Sequence, residues 1–227
     1  MNYESLAEMR AVLAEAVGDI DPDSPKGKKR LRIVEAAIAL FVAHGYRKTG
    51  IDDIARAAGI AKGTVYLYFA TKVEVLMVAC AYEKLRLFAL LDGIDAPTLS
   101  PRDRLRQWVR ASILMVAASP LLTRAGVGDP DILAALIEGM PERTAQAMAD
   151  AGDTVGALLD AAIAPQQWTD DERHARIVVL EALTRFAPLL RDDPLRQGLS
   201  IERFADTLAD VVVDGMRLPA GRDRTRA

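Results

Sequence analysis

The chain contains few of the residues that carry most enzyme and metal chemistry. Its 227 residues include one cysteine, Cys80, and two histidines, His44 and His174, which lie far apart in the sequence. A single cysteine excludes an internal disulfide framework, and two scattered histidines offer no metal cluster. Neither histidine stands near a nucleophile at a spacing typical of a catalytic motif. The sequence therefore predicts no enzyme activity, no cofactor and no metal site.

Long apolar runs and strand-like alternation are also scarce. No apolar run reaches the roughly 18 residues that span a bilayer, and the N-terminus lacks the apolar core of a signal peptide. We therefore expect a soluble, cytoplasmic protein with no membrane partner. Hydrophobic residues make up 51% of the chain and aromatic residues only 5%, and their spacing is mostly that of amphipathic helices. The expected fold class is all-α.

Basic residues are concentrated in one segment of an otherwise acidic chain. Ten basic and three acidic residues fall between Lys26 and Lys72, a balance of +7, whereas the whole chain carries −3 and the remainder therefore −10. A basic segment attached to an acidic body is typical of a nucleic-acid-binding domain, in which lysine and arginine contact phosphates. A solvated basic surface that binds no partner can have the same composition. The sequence motifs of this segment must therefore decide between a nucleic-acid-binding domain and such a surface.

The basic segment contains a predicted amphipathic helix. Ile33, Ala37 and Phe41 recur at helical spacing over about residues 30–44, so this helix has one apolar face. Gly45 follows directly, as expected for a residue that ends a helix with positive φ. The segment therefore predicts the first helix of a compact helical domain.

Two shorter helical patterns follow, separated by a glycine. Thr49 with Asp52 three positions later resembles a capping box, and Gly59 stands where a tight turn between crossing helices needs a left-handed backbone. Residues 61–69 predict the next helix, with Val65 packed inward and polar neighbours exposed. This is the layout of a helix-turn-helix.

The same residues resemble the DNA-binding domain of the TetR (tetracycline-repressor-like) family of transcription regulators. The usual sequence pattern of this family is T-x-x-x-I-A-x-x-A-G-V-S-x-G-T-L-Y-x-Y-F-x-x-K-E-x-L. The matching positions are Thr49, Ile54, Ala55, Ala58, Gly59, Ile60, Gly63, Thr64, Val65, Tyr66, Tyr68, Phe69, Lys72 and Leu76. Three positions depart from the pattern, since Gly50 replaces a Ser or Thr, Ala61 a Ser, and Val73 a common Glu.

The resemblance implies that residues 61–69 form the recognition helix, which enters the major groove of double-stranded DNA. It also implies roles for individual residues. Lys62 would reach guanine acceptors or phosphate, Gly63 would allow close backbone approach, and Lys72 would clamp a phosphate. The implied DNA-binding residues are Lys48, Thr49, Lys62, Gly63, Thr64, Tyr66, Tyr68 and Lys72.

Four parts of the chain follow from these patterns. They are an N-terminal extension (1–27), a three-helix DNA-binding domain (28–75), a larger helical ligand-binding and dimerisation domain (76–218) and a flexible tail (219–227). The extension predicts a short helix over about 4–17, and a basic arm, residues 26–30, follows it. We expect the helix to dock on the body, because its mainly acidic charges argue against a membrane surface. The arm either follows the DNA backbone or is a solvated leader.

The last two predicted helices, over about 170–191 and 200–217, carry apolar residues on more than one face. In the resembled family these helices pack with their symmetry mates as a four-helix bundle, which implies a homodimer on a palindromic operator. Burial of both apolar faces inside a monomer would also explain the apolar residues on more than one face. The implied dimerisation residues are Ile177, Leu180, Leu183, Phe204, Leu208 and Val212.

A small-molecule effector site in the larger domain is also implied by the resemblance. Methionine and aromatic side chains adapt to apolar ligands, so we expect a largely apolar effector. The candidate lining residues are Trp108, Ser112, Met115, Met140, Met148, Trp168 and Phe186. The implied function is a ligand-responsive regulator, most often a repressor that its effector releases from DNA. The alternative is a helical interaction protein that has kept the fold but lost operator binding.

Overall fold

The described part of the protein consists of helices joined by turns and loops. The computed structural model describes residues 6–21, 23–125, 129–163, 168–190 and 193–216, and within these ranges there is no strand. The helices are α1 (Leu6–Val17), α2 (Pro25–His44), α3 (Ile51–Ala58), α4 (Lys62–Tyr66), α5 (Lys72–Arg86), α6 (Pro101–Ala118), α7 (Pro120–Thr123), α8 (Pro130–Gly139), α9 (Pro141–Ala162), α10 (Asp170–Phe186), α11 (Asp193–Arg196) and α12 (Ile201–Gly215). The all-α prediction is confirmed.

Two further points complete this outline. Short 3-10 turns, Phe88–Leu91 and Ala187–Leu190, follow α5 and α10. The predicted tail, 219–227, lies outside the described residues. None of the described helices combines the length and the apolar character that crossing a membrane requires. Below, the head is residues 25–69, the body is residues 88–216, and α5 connects them.

Helix α1 packs along α5, in agreement with the predicted docking on the body. At its C-terminal end, Val17 is fully buried in the apolar cluster of the head. Toward its N-terminal end, Leu6 and Met9 pack against the cluster that contains Phe88 and Leu91. Because its two ends contact different clusters, α1 bridges the head and the body.

Helix α2 begins earlier than the sequence predicted, at Pro25. The Ser24 hydroxyl accepts a hydrogen bond from the Gly27 amide (2.8 Å) and caps the helix, and proline is well suited to the first turn. Gly27 is buried, and a side chain there would collide with the backbone of Asp21. The predicted basic arm, residues 26–30, is therefore the first part of α2, and that prediction is wrong.

The cap of α3 lies one residue later than predicted. Gly50 is the N-cap residue, and its amide donates to the Asp53 carboxylate (3.0 Å). The Thr49 hydroxyl is buried and donates to a backbone carbonyl at the end of α2 (2.8 Å). The predicted box of Thr49 with Asp52 is thus wrong in register, because glycine is tolerated at an N-cap and Asp53 supplies the reciprocal bond. Gly59 ends α3 in the left-handed conformation, as predicted.

The body is built around α6. Its buried residues Leu105, Val109 and Ile113 pack in one cluster with residues of α9, α10 and α12. The break predicted near Pro141 separates α8 from α9, since proline cannot continue the hydrogen bonding of a preceding helix. Helix α10 ends at Phe186, earlier than predicted, and continues as a 3-10 turn.

Polar contacts join the head to the body beside the end of α2. The Asp129 carboxylate accepts a hydrogen bond from the Tyr46 amide (3.0 Å), and the Arg124 guanidinium donates to the Val42 carbonyl (2.7 Å). On α5, the buried Glu83 carboxylate accepts from a backbone amide (3.0 Å) and a hydroxyl group at the start of α7. These contacts fix the orientation of the head relative to the body.

The docking of α1 predicts a measurable contribution to stability. Replacing Val17 with alanine removes two fully buried methyl groups, so we expect Val17→Ala to lower the free energy of unfolding by about 1–3 kcal/mol. The control is Glu15→Ala, an exposed position on the same helix, which should have little effect. Chemical denaturation of both variants checks this. If Val17→Ala were as stable as the parent protein, α1 would not dock in solution.

Candidate nucleic-acid interface

The predicted recognition helix, α4, has one buried and one accessible side. Val65 is fully buried, as predicted, and so is Phe69 one turn later. Lys62, Gly63 and Tyr66 are exposed, and Gly63 lies on the side of the helix opposite Val65. No neighbouring atom of the described chain lies within 4 Å of the position that a Gly63 side chain would occupy. A large partner can therefore approach the backbone of α4 closely at this point.

Lys62 is held in an ion pair at the start of α4. Its ammonium lies 2.9 Å from the Asp52 carboxylate of α3, and both side chains are exposed. The hydrogen bond with Asp52 raises the pKa of Lys62. A phosphate or base contact by Lys62 must therefore compete with an acidic neighbour inside the same interface. This competition was not visible in the sequence, in which the two residues lie ten positions apart.

Thr49 and Lys48 differ in accessibility although they are adjacent. Thr49 is buried and its hydroxyl donates into the end of α2, so the structure does not support a side-chain contact between Thr49 and DNA. Lys48 is exposed and lines a cleft of about 380 Å³ between α2 and α3, together with His44 and Arg56. Lysine and arginine side chains at a cleft can contact a phosphate, but the Asp53 carboxylate, 3.1 Å from the Arg56 guanidinium, lines the same cleft.

Lys72 stabilises the turn that leads into α3. Its ammonium donates to the carbonyls of Tyr46 (2.9 Å) and Thr49 (3.1 Å) and lies 3.9 Å from the centre of the Tyr46 ring. Partial burial lowers the pKa of Lys72. The residue thus connects the first turn of α5 to the loop between α2 and α3. A phosphate contact by Lys72 remains a prediction.

Arg30 is a positioning residue that the sequence pattern did not reveal. Its guanidinium donates to the carbonyls of Val17 (2.8 Å) and Tyr68 (3.1 Å) and lies 4.4 Å from the centre of the Phe69 ring. Partial burial lowers the pKa of Arg30. Within a basic run an arginine is expected at the surface, and only the tertiary fold turns this one inward. Arg30 therefore ties the end of the recognition helix to α1.

Thr64 and Tyr68, the remaining predicted DNA-binding residues, are both half-buried. The Tyr68 side chain packs against the apolar cluster of the head. Val73 explains one departure from the family pattern, because it is buried against Gly139 of α8, where a charged side chain would be desolvated. Of the eight predicted DNA-binding residues, Lys48, Lys62, Gly63 and Tyr66 are therefore the exposed ones.

The seven predicted effector residues do not gather at one place. Trp108, Ser112 and Met115 lie on α6, and Trp108 and Met115 pack against the cluster around Phe88. Trp168 packs against the neighbouring cluster of the body and stacks on a guanidinium 4.2 Å away. Trp108 and Met115 therefore lie at the apolar cluster that α1 and α6 share.

The other predicted effector residues lie further out. Met140 precedes α9, and Met148 and Phe186 are exposed. A second cleft, of about 550 Å³, lies between α1 and residues 88–96. None of the seven predicted residues lines this cleft or the cleft beside Lys48. An effector contact by any of the seven remains a prediction.

The predicted dimerisation residues are mostly half-buried, with one clear exception. Leu180 is only 1% exposed and packs inside the protomer, so the structure does not support a direct contact between Leu180 and a second copy. Ile177, Leu183, Phe204, Leu208 and Val212 keep partial exposure. The more exposed apolar side chains of α10 and α12 are Val178, Val179, Phe186 and Val211.

The described residues contain no arrangement of side chains that would hold a metal ion. No group of three or more His, Cys, Asp or Glu side chains there is arranged to hold a metal ion. Burial raises the pKa of the Cys80 thiol to about 12, so it stays protonated near neutral pH. Cys80 packs against the apolar cluster of the head, as an ordinary core residue does.

The fold and the interface define a helix-turn-helix DNA-binding regulator. Residues 33–78 match the family of bacterial regulatory proteins called the tetR family. The HTH-type transcriptional repressor KstR of Rhodococcus jostii is 32% identical over 173 residues, which are 76% of this chain and 75% of that protein. The chain therefore belongs to the TetR family. It is a DNA-binding transcription regulator, and its relatives are regulators and not enzymes.

Two other comparisons agree with this assignment. The regulator MftR of Mycobacterium tuberculosis is 42% identical over 82 residues, which are 36% of this chain but only 39% of that protein. The crystal structure of the transcriptional regulator FadR from Bacillus subtilis, in complex with stearoyl-CoA, superposes with a TM-score of 0.63. That match covers 82% of this chain and 99% of FadR at 14% identity, so it shows a shared fold alone.

The ion pair at the start of α4 predicts an unusual gain in DNA affinity. Asp52→Asn would free Lys62 and remove a negative charge close to the phosphates, so we expect the affinity for duplex DNA at low salt to rise about two- to fivefold. The measurement is fluorescence anisotropy with a labelled duplex over a range of salt concentrations.

The matched control is Glu202→Gln, which removes one exposed acidic charge from the first turn of a body helix. It should leave the affinity unchanged, because it is remote from the head. If the Asp52→Asn variant bound DNA no better than this control, the ion pair would not limit binding.

Proposed function

We propose that this protein is a ligand-responsive repressor that binds a palindromic operator as a homodimer. The observation that carries the proposal is the two-sided recognition helix, with Val65 buried and Lys62, Gly63 and Tyr66 accessible on a basic head. An α-helix fits the major groove, and its exposed side chains and backbone can read base edges there. The operator of a bacterial regulator lies in the cytoplasm, so we propose that the protein acts there.

Phosphate contacts would supply most of the affinity. Lys62 is an exposed cation on α4 itself, and the exposed cations Lys48 and Arg56 line the cleft between α2 and α3. Each phosphate that they neutralise would release condensed counterions, so binding should weaken steeply as salt rises. The acidic remainder of the chain would keep the body away from the DNA backbone, which favours one orientation of the head.

A homodimer is supported by the apolar side chains that the last two long helices leave in solvent. Val179 of α10 is 55% exposed and Val211 of α12 is 64% exposed. Each helix already buries one apolar side against α6 in the protomer, so a second copy would cover the remaining side. Twofold symmetry would place two recognition helices about 34–36 Å apart, which suits an inverted repeat.

The effector would act by changing the relative populations of two orientations of the head. The polar contacts of Asp129 and Arg124 with the end of α2 hold one orientation. A ligand that binds the body more tightly in another orientation would shift the equilibrium and release the operator. We propose a largely apolar effector, consistent with Trp108 and Met115 at the apolar cluster beside α1.

A protein with the same fold suggests a chemical class for the effector. FadR of Bacillus subtilis, which shares this fold, was crystallised with stearoyl-CoA. A long acyl chain would suit an apolar site, so fatty acyl-CoA thioesters are the first compounds to test. The test is whether such a compound releases a bound operator and changes the fluorescence of Trp108.

The dimer proposal predicts different effects for two apolar-to-charged substitutions. Val179→Glu would place a charge on the proposed interface, so we expect monomers. Leu133→Glu changes a residue of α8 that is also largely exposed, at 42%, and should leave the dimer intact. Light scattering coupled to gel filtration measures both masses. A dimeric Val179→Glu variant, or a monomeric parent protein, would contradict the proposed interface.

The function itself is tested by selection from a pool of randomised duplex DNA. We expect the recovered sequences to share an inverted repeat whose half-sites are about one duplex turn apart. The Lys62→Ala variant, tested on the same sequence, should bind it more weakly and with a shallower salt dependence. A folded dimer that enriches no sequence at low salt would favour an interaction protein that has lost operator binding.

A further inference from the structure

Leu67 stands out among the apolar side chains of the protein. It is 83% exposed, the largest value among the large hydrophobic residues that the structure describes. Single exposed leucines are common on protein surfaces and need no explanation by themselves. The position of this one, directly after α4 and inside the proposed DNA interface, is what distinguishes it.

The backbone places Leu67 on the accessible side of the recognition helix. Its φ of −73° and ψ of −20° continue the helical turn, and its amide donates to the Thr64 carbonyl (3.2 Å). At about 100° per residue, Leu67 points away from the fully buried Val65 and lies one turn beyond Gly63 on the same side. The accessible backbone at Gly63 and the side chain of Leu67 therefore form one continuous exposed surface.

The turn that carries Leu67 is firmly anchored. The amides of Tyr68 and Phe69 both donate to the Val65 carbonyl (3.0 Å each). The Phe69 ring is buried, and the Arg30 guanidinium binds the Tyr68 carbonyl and stacks on that ring. The isobutyl group of Leu67 thus extends from a fixed backbone, which a residue that reads DNA requires.

The chemistry of the major groove limits what Leu67 can recognise. Base edges there present hydrogen-bond donors and acceptors, except for one apolar group, the C5 methyl of thymine. An isobutyl group against any other base edge would desolvate polar atoms without replacing their hydrogen bonds. The side chain therefore gains most from a thymine methyl group.

We propose that Leu67 is a specificity-determining residue that reads the C5 methyl group of a thymine in each operator half-site. The inference rests on the proposed function, since it requires α4 in the major groove. It adds a base preference that phosphate contacts by Lys62 and Lys48 do not supply. Tyr66, whose hydroxyl can bind phosphate, is expected to add affinity without this preference.

Deoxyuridine provides a sharp test, because it differs from thymidine only by the absence of the methyl group. Each thymine of an operator recovered by selection is replaced by deoxyuridine in turn, and the affinities of the parent protein and of Leu67→Ala are measured. At one position in each half-site, we expect the parent to lose affinity about fourfold for one replacement and about tenfold or more for both. Leu67→Ala should bind more weakly overall but show no loss at that position.

Two controls separate this role from a general loss of binding. Tyr66→Phe should lower the affinity for every duplex and keep the loss on deoxyuridine substitution. Thermal unfolding of Leu67→Ala should match the parent, since the side chain is exposed. If no deoxyuridine substitution in a selected operator had an effect that depends on Leu67, this inference would be wrong and the proposed function would still stand. A failure to select any operator would overturn both this inference and the proposed function.

Discussion

Burial of one side of the recognition helix is the constraint on which the interface depends. Helix α4 has only five residues, and so short a helix is not stable in water without tertiary contacts. Val65 and Phe69 supply those contacts by packing into the cluster formed by α2, α3 and α5. Because these two residues fix the inner side, Gly63, Tyr66 and Leu67 are presented to solvent in a defined arrangement.

The position of this short helix depends in turn on polar contacts made by backbone carbonyls. Arg30 binds the carbonyl at the end of α4 and one at the end of α1, and Lys72 binds two carbonyls in the loop before α3. Asp129 extends the connection to the body through the Tyr46 amide. The N-terminal helix, the head and the body are thus linked by polar contacts, and under the proposed function an effector bound to the body would act through them.

The sequence predicted the parts of the fold that periodicity and local backbone chemistry determine. The inward position of Val65, the turn at Gly59 and the break at Pro141 are of this kind. The cap of α3 was placed at Thr49 because Thr49 and Asp52 have the spacing of a capping box, whereas the actual N-cap, Gly50, has no side chain that signals it. Other features required tertiary contacts that no pattern encodes. Arg30 looked like a surface cation, and periodicity could not tell which apolar residues of α10 face inward, as Leu180 does.

The most direct test of this account is a structure of the protein bound to a selected operator duplex. We predict that two copies of α4 lie in successive major grooves on one side of the DNA, with Val65 and Phe69 still buried and with Gly63 and Leu67 against base edges. A complex in which α4 lies outside the groove, or in which the DNA contacts another surface of the chain, would contradict the account.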